Sequence, residues 1–198
     1  VSILNSIWSL YFYEFLGNNS LVGLFSSILS IVALTSFFIF TPVIQKFSEK
    51  KIYFYGLIAG ILLLNLMTFN TNFYFFIILI TVYVMMSVLR IESFGIMYRD
   101  SSKTKSLAKN EGLIYTSSNV GWVVGSFLVI FLLKIYNLNK IFMFSSLFFF
   151  LALIVFLFYN GKPHKKIDET INLLDNLKRF FKNKKLRRLY FSSIGTSL

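Results

Sequence analysis

The chain consists of long apolar runs separated by short polar connectors. The runs cover residues 1–16, 21–44, 52–69, 73–98, 112–133 and 141–159. Each is close to the ~20 residues that an α-helix needs to cross the apolar core of a bilayer. Open strands would leave backbone groups unpaired in lipid, so the runs are expected to be helices. The pattern predicts an all-α, polytopic membrane protein with a six-helix transmembrane bundle over residues 1–160.

The pattern changes after the sixth run. Between residues 167 and 181 the apolar positions recur at spacings of three and four, with Lys, Asp and Asn between them. This spacing predicts an amphipathic helix with a cationic face, within a basic cytoplasmic linker over residues 161–187. The helix is expected on the inner membrane surface, drawn by anionic lipid, and a solvated linker is the alternative. Residues 188–198 predict the truncated start of a seventh transmembrane helix, and therefore a fragment of a longer protein.

The basic residues predict how the helices are oriented. Of the 20 Lys and Arg residues, three lie in the connector after the second run, four after the fourth and ten after the sixth. The connectors on the other side hold only Lys134 and Lys140. Because basic loops stay in the cytoplasm, the start of helix one and the central linker are expected there, in a multi-pass protein of the plasma membrane. The net charge of +12 therefore indicates topology rather than a nucleic-acid partner.

Composition excludes most catalytic chemistry. Only 14% of the residues are charged, against about 25% in soluble proteins. There is no cysteine, and the one histidine, His164, lies in a Lys-rich loop. The spans contain only two acids, Glu14, expected at the outer interface, and Glu92. We therefore predict no metal, no cofactor and no enzyme activity, with a membrane-embedded enzyme as an alternative.

The fifth run carries a stripe of small residues. Ser117, Gly121 and Gly125 follow one another at spacings of four. In lipid, helices associate through close backbone contact, which small residues allow. The stripe predicts a packing surface, either a generic one or one with a dedicated partner helix.

The order of elements resembles the first half of a major facilitator superfamily transporter, with its central loop and the start of helix seven. Helix five adds a motif. The antiporter motif of drug:proton exchangers in that superfamily reads Gly, eight residues, Gly, three residues, Gly-Pro, two residues, Gly. Gly112, Gly121 and Gly125 match it, whereas Ser126 and Val129 replace the Pro and the last Gly. The resemblance implies that Gly121 and Gly125 pack against the missing C-terminal six-helix half.

The connector between helices two and three resembles a second motif of the superfamily, Gly-x-x-x-Asp-Arg-x-Gly-Arg-Lys. Thr41 occupies the first position, and the matched segment contains Gln45, Lys46, Ser48, Lys50 and Lys51. The basic character fits, but both glycines, the Asp and the following Arg are replaced. In the family this loop is a charge-paired latch that favours one state of the cycle. Gln45 in place of Asp implies a looser or differently connected latch.

Two charged residues lie inside the fourth run. A charge at membrane depth costs several kcal/mol unless it is paired or hydrated, so such residues are functional candidates. Arg90 lies about 17 residues from the outer end, roughly 25 Å deep, and is expected either to line a cavity or to snorkel to the inner headgroups. Glu92 is expected either to take part in proton coupling or to face water on the inner side.

The resemblance also implies a cavity built mainly from helices one and four. Asn5, Trp8 and Tyr83 are therefore further candidates for substrate contact. The expected function is secondary active transport of a small organic solute by alternating access, driven by protons or by the solute's own gradient. The helix-five glycines suggest an exported amphiphile and an antiporter. A non-transporting membrane scaffold is the alternative, because a fold does not determine function.

Overall fold

The computed structural model describes residues 2–102, 107–159 and 182–183. These residues form six α-helices and no strand. The helices are α1 (Ser2–Leu16), α2 (Asn19–Lys46), α3 (Glu49–Phe69), α4 (Phe73–Ser101), α5 (Leu107–Leu133) and α6 (Leu138–Leu157). The prediction of an all-α, polytopic helical bundle is confirmed. The linker predicted over 161–187, apart from residues 182–183, and the seventh helix predicted over 188–198 lie outside the described residues.

Five of the six helices, α2 to α6, are long and apolar enough to cross a membrane. The first helix, α1, has 15 residues, which is about 22 Å of helix. That is shorter than the ~30 Å apolar core of a bilayer. Among the described helices, five are therefore long enough to span a membrane, whereas the sequence predicted six.

The helices extend past the apolar runs, which corrects the predicted connector between the second and third. α2 continues to Lys46 and α3 begins at Glu49, so only Phe47 and Ser48 separate them. α5 likewise begins at Leu107, five residues before Gly112. A helix pairs its own backbone groups, so it can leave the apolar layer without a penalty and continue in water. Hydropathy detects only the part of each helix that lies in lipid.

The uncharged connectors act as helix caps. The Asn72 side chain accepts hydrogen bonds from the backbone N–H groups of Tyr74 and Phe75, at 2.9 and 3.3 Å. Asn18 does the same for Ser20 at 2.8 Å. Gly17 follows α1 in the left-handed region, with φ 59°, which glycine adopts without strain. These turns therefore begin and end helices at defined positions.

The packing order has an internal two-fold pattern. α3 packs against both α4 and α6, α1 packs against α5, and α2 packs against α4. Exchanging helices one to three with helices four to six converts the α1–α5 contact into the α4–α2 contact. It also converts the α3–α4 contact into the α6–α1 contact, which is present too. This is the arrangement of two three-helix repeats.

Long-range contacts identify the two ends of the bundle. At one end, the hydroxyl groups of Ser101 and Tyr159 are 2.7 Å apart, and Lys50 Nζ lies 5.3 Å from the centre of the Tyr159 ring. At the other end, the Tyr11 hydroxyl donates to the Asn70 carbonyl at 3.2 Å. The start of α3 and the ends of α4 and α6, where the basic connectors begin, therefore lie together.

Aromatic side chains fill the end that contains Asn70. The ring of Tyr11 lies 4.1 Å from that of Phe76 and 5.3 Å from that of Phe142, and all three residues are fully buried. This cluster closes the bundle on the Asn70 side. The candidate site lies on the other side of the cluster.

Candidate functional site

Arg90 is a buried charge near the middle of α4. It is 6% exposed and lies three residues past the midpoint of this 29-residue helix. By helical rise it is about 16 Å from the Ser101 end. Its side chain therefore points into the bundle and does not snorkel to either end.

Two glycines of α3 make room for this side chain. A Cβ atom on Gly56 would lie 3.2 Å from the Cβ of Arg90. A Cβ atom on Gly60 would overlap the ring of Phe149, which comes from α6. Gly56 and Gly60 are four residues apart, so they lie on one face of α3 and let α4 and α6 approach it closely. The sequence analysis missed this pair, although its spacing is the signal that was used in helix five.

Phe149 supports the guanidinium group. The Arg90 Cζ atom lies 4.2 Å from the centre of the Phe149 ring, and Phe149 is 6% exposed. A desolvated cation–π contact of this kind contributes about 2 kcal/mol. No carboxylate among the described residues forms an ion pair with Arg90. Burying an unpaired ion costs several kcal/mol, so the ring alone does not compensate the charge.

Tyr83 adds a second polar group two helical turns from Arg90. It is 3% exposed, and its hydroxyl has no hydrogen-bond partner among the described residues. The Arg90 guanidinium group lies close enough to interact electrostatically with this hydroxyl, but the two groups do not have the geometry of a regular hydrogen bond. The Tyr83 ring lies 6.2 Å from Phe149 and 6.5 Å from Trp8. The structure therefore brings three of the predicted site residues, Trp8, Tyr83 and Arg90, into one region of the bundle.

Arg90 lines a cleft of about 570 Å³ between α3, α4, α5 and α6. The cleft has a mainly aromatic wall with a few small polar groups. Its lining includes Tyr53, Ser118, Gly121, Trp122, Ser145 and Phe149. Volumes of 300–1,000 Å³ with few polar groups are typical of sites for small organic molecules.

The other residues predicted for the substrate or proton pathway lie elsewhere. Glu92 is half-buried and does not line the cleft. Two positions along a helix turn the side chain about 200°, so Glu92 points away from Arg90. Asn5 belongs to α1, and its side chain lies outside the described part, as does His164. Across the described residues, no group of three His, Asp or Glu side chains could hold a metal ion.

The helix-five glycines make fewer contacts than those of α3. Around the Cβ position of Gly112 and of Gly121 there is no atom of the described residues within 4 Å. Gly121 lines the cleft, Gly125 is buried and Ser117 is exposed. The structure therefore shows a close helix contact at Gly56 and Gly60. Packing of Gly121 and Gly125 against a second half stays a prediction.

The predicted latch residues lie at the turn between α2 and α3. Lys46 ends α2 with its Nζ 6.0 Å from the Phe47 ring, and Ser48 precedes α3 without a side-chain cap. Lys50 reaches Tyr159, while Lys51 is exposed. The side chain of Gln45 lies outside the described part. The structure connects this turn to the end of α6, and its role as a latch stays a prediction.

Comparison with known proteins places the chain in a family. A family model described as Major Facilitator Superfamily matches residues 1–198, which is the whole chain. No curated protein and no solved structure gives a significant match. The match covers every helix described above, and the family consists of membrane transporters and not of enzymes. The chain therefore belongs to the Major Facilitator Superfamily.

Proposed function

We propose that this chain is the N-terminal half of a secondary transporter that moves a small organic solute by alternating access. The observation that carries this proposal is the buried Arg90, which has no carboxylate partner among the described residues, on the wall of a cleft of about 570 Å³. A charged side chain at this depth destabilises the fold unless it is paired or hydrated, so its presence indicates a functional role.

The position of the cleft suits this mechanism. Transporters of this kind place their solute near the middle of the membrane, where two halves meet and rock about it. Arg90 lies close to the middle of α4, and the aromatic cluster around Tyr11 and Phe76 closes the bundle on the Asn70 side. In our proposal the basic end faces the cytoplasm of a plasma-membrane protein. The helix-five glycines favour export.

Transport by the full-length protein tests the proposal. Liposomes containing it would be loaded with a defined mixture of organic acids, amides and amines of similar size, and efflux would be followed by mass spectrometry. We expect saturable efflux of at least one class of compound, faster than in protein-free liposomes. Efflux equal to that of protein-free liposomes for every class would favour the scaffold instead.

Glu92 is proposed to carry the proton if transport is coupled to a pH gradient. We expect Glu92→Gln to reduce gradient-driven accumulation about 10-fold or more, because an amide cannot release a proton, while exchange without a gradient continues. Glu111→Gln is the matched control, since Glu111 is an exposed acid near the start of α5. Unchanged gradient-driven accumulation in Glu92→Gln would exclude this role.

A further inference from the structure

We infer that the transported solute is an organic anion, whose carboxylate or phosphate group binds to Arg90 while its apolar body packs against the aromatic wall of the cleft. This inference rests on the proposed function and specifies the substrate class of the same site. It depends on the surroundings of Arg90, described next.

The centre of the bundle has a positive charge without a carboxylate counter-charge among the described residues. A guanidinium group carries five N–H donors and accepts nothing. Among the described residues, Arg90 has no carboxylate partner, and the buried hydroxyl of Tyr83 beside it interacts with Arg90 without forming a regular hydrogen bond. The Ser145 hydroxyl already donates to the Ile141 carbonyl at 3.0 Å. Hydroxyl oxygens can accept from Arg90, but among the described residues the site lacks negative charge, and an anion supplies it.

The Arg90 side chain is held in place before the solute arrives. Gly56 contacts its Cβ on one side, and the Phe149 ring lies beneath the guanidinium group. A planar guanidinium held in this way presents two parallel N–H groups, and this geometry matches a carboxylate or phosphate group. A neutral acceptor would satisfy the N–H groups but leave the charge unpaired. The arrangement therefore favours an anion over an amide or an alcohol.

The rest of the cleft indicates that the anion is organic. Ile91, Phe94, Trp122 and Phe148 contribute apolar surface around the single charge. Inorganic phosphate or sulfate would leave this surface uncovered and would itself need more donors than one arginine offers. An organic acid can place its anionic group against Arg90 and its aromatic or aliphatic body against the apolar wall.

Binding to the full-length protein in detergent tests the inference. The probes are benzoate and phenyl phosphate, compared with benzamide and benzylammonium, and Trp122 in the cleft wall is the fluorescent reporter. We expect at least one acid to change the fluorescence saturably and to raise the melting temperature, and the amide and the amine to do neither. The fluorescence change should disappear in Trp122→Phe.

Variants of α4 assign the charge that binds the anion. We expect Arg90→Gln to weaken binding of the acid about 10-fold or more, and Arg90→Lys to weaken it less, because a point charge remains. Arg99→Gln is the matched control, since Arg99 lies on the same helix, exposed, 3.9 Å from Asp100. No binding of either acid, equal binding of benzamide, or unchanged binding in Arg90→Gln would overturn the inference.

Two further measurements test whether Arg90 has a partner other than the solute. If the charge of Arg90 is unpaired, Arg90→Gln should raise the melting temperature by about 2–5 °C. A lower melting temperature would mean that contacts within the protein already compensate the charge of Arg90, which overturns the inference. Loss of acid binding after adding phosphatidylglycerol would assign the site to a lipid headgroup, with the same result.

The outcomes separate this inference from the proposed function. Binding of acids without flux in liposomes would leave the anion site standing and contradict transport. Flux of amides or amines without binding of acids would leave transport standing and contradict the anion site.

Discussion

Replacing Gly60 with alanine is expected to destabilise the full-length protein by about 1–3 kcal/mol, the usual effect of overpacking a well-packed interior. The added methyl group would overlap the Phe149 ring, which is 6% exposed and has little room to move. Displacing that ring also removes the support beneath Arg90. We therefore expect a lower melting temperature together with weaker transport.

Gly95→Ala is the matched control for this prediction. Gly95 lies in α4, and the described residues place no atom within 4 Å of its Cβ position. Alanine has the higher helix propensity, so Gly95→Ala should be neutral or up to about 1 kcal/mol more stable. Thermal unfolding of both variants in detergent measures the difference. Equal melting temperatures would contradict the close contact between α3 and α6.

Replacing Arg90 with glutamine is expected to reduce the rate of solute transport at limiting concentration about 100-fold or more. Hydrogen bonds to a charged group contribute about 1.5–3 kcal/mol each, and a bidentate contact loses two of them. Initial rates in liposomes, measured against solute concentration, give this ratio. The transport rate of Arg90→Lys should lie between those of the parent protein and Arg90→Gln.

Arg99→Gln again provides the control, because it removes the same charge from the exposed end of α4. Its rate should stay within about 2-fold of the parent protein, as expected for a surface charge. If Arg90→Gln transports as fast as Arg99→Gln, Arg90 does not contact the solute.

The class of fold could be predicted from the sequence because lipid restricts a spanning chain to few structures. A run of apolar residues that long has to be a helix, and short connectors make neighbouring helices antiparallel. The ends of the helices were predicted less well, as at α2 and α5, because hydropathy does not detect helical turns in water.

Arg90 could be identified from the sequence, whereas the ring that supports it could not. A single arginine in an apolar run stands out, because charge there is unfavourable. Phe149 does not stand out, since it is one of 25 phenylalanines. In lipid both the buried and the exposed face of a helix are apolar, so periodicity does not show which phenylalanine points inward.

The glycines illustrate a signal that the sequence analysis used in α5 and missed in α3. Small residues four apart occur both in α3, at Gly56 and Gly60, and in α5, at Gly121 and Gly125. The family motif directed attention to α5. The structure shows a tight contact in α3, where two bulky side chains face the glycines.

The central claim is that the cleft contains an unpaired positive charge at Arg90, and single cysteines test it most directly. This chain has no native cysteine, so Ser118→Cys places one thiol in the cleft wall. Its reaction rates with an anionic and a cationic methanethiosulfonate, the 2-sulfonatoethyl and 2-trimethylammonioethyl reagents, would be compared in the full-length protein lacking other cysteines. Each rate is divided by the rate with free 2-mercaptoethanol. This division removes the difference in intrinsic reactivity between the two reagents. The ratio of the two resulting values, anionic over cationic, then cancels any effect of the site on the thiol itself.

We predict that the thiol at position 118 reacts about 10-fold or more faster with the anionic reagent, because like and opposite charges differ strongly in a partly desolvated site. Adding Arg90→Gln should remove this preference, and adding Arg99→Gln should not. A preference for the cationic reagent, or a ratio that Arg90→Gln leaves unchanged, would contradict the account.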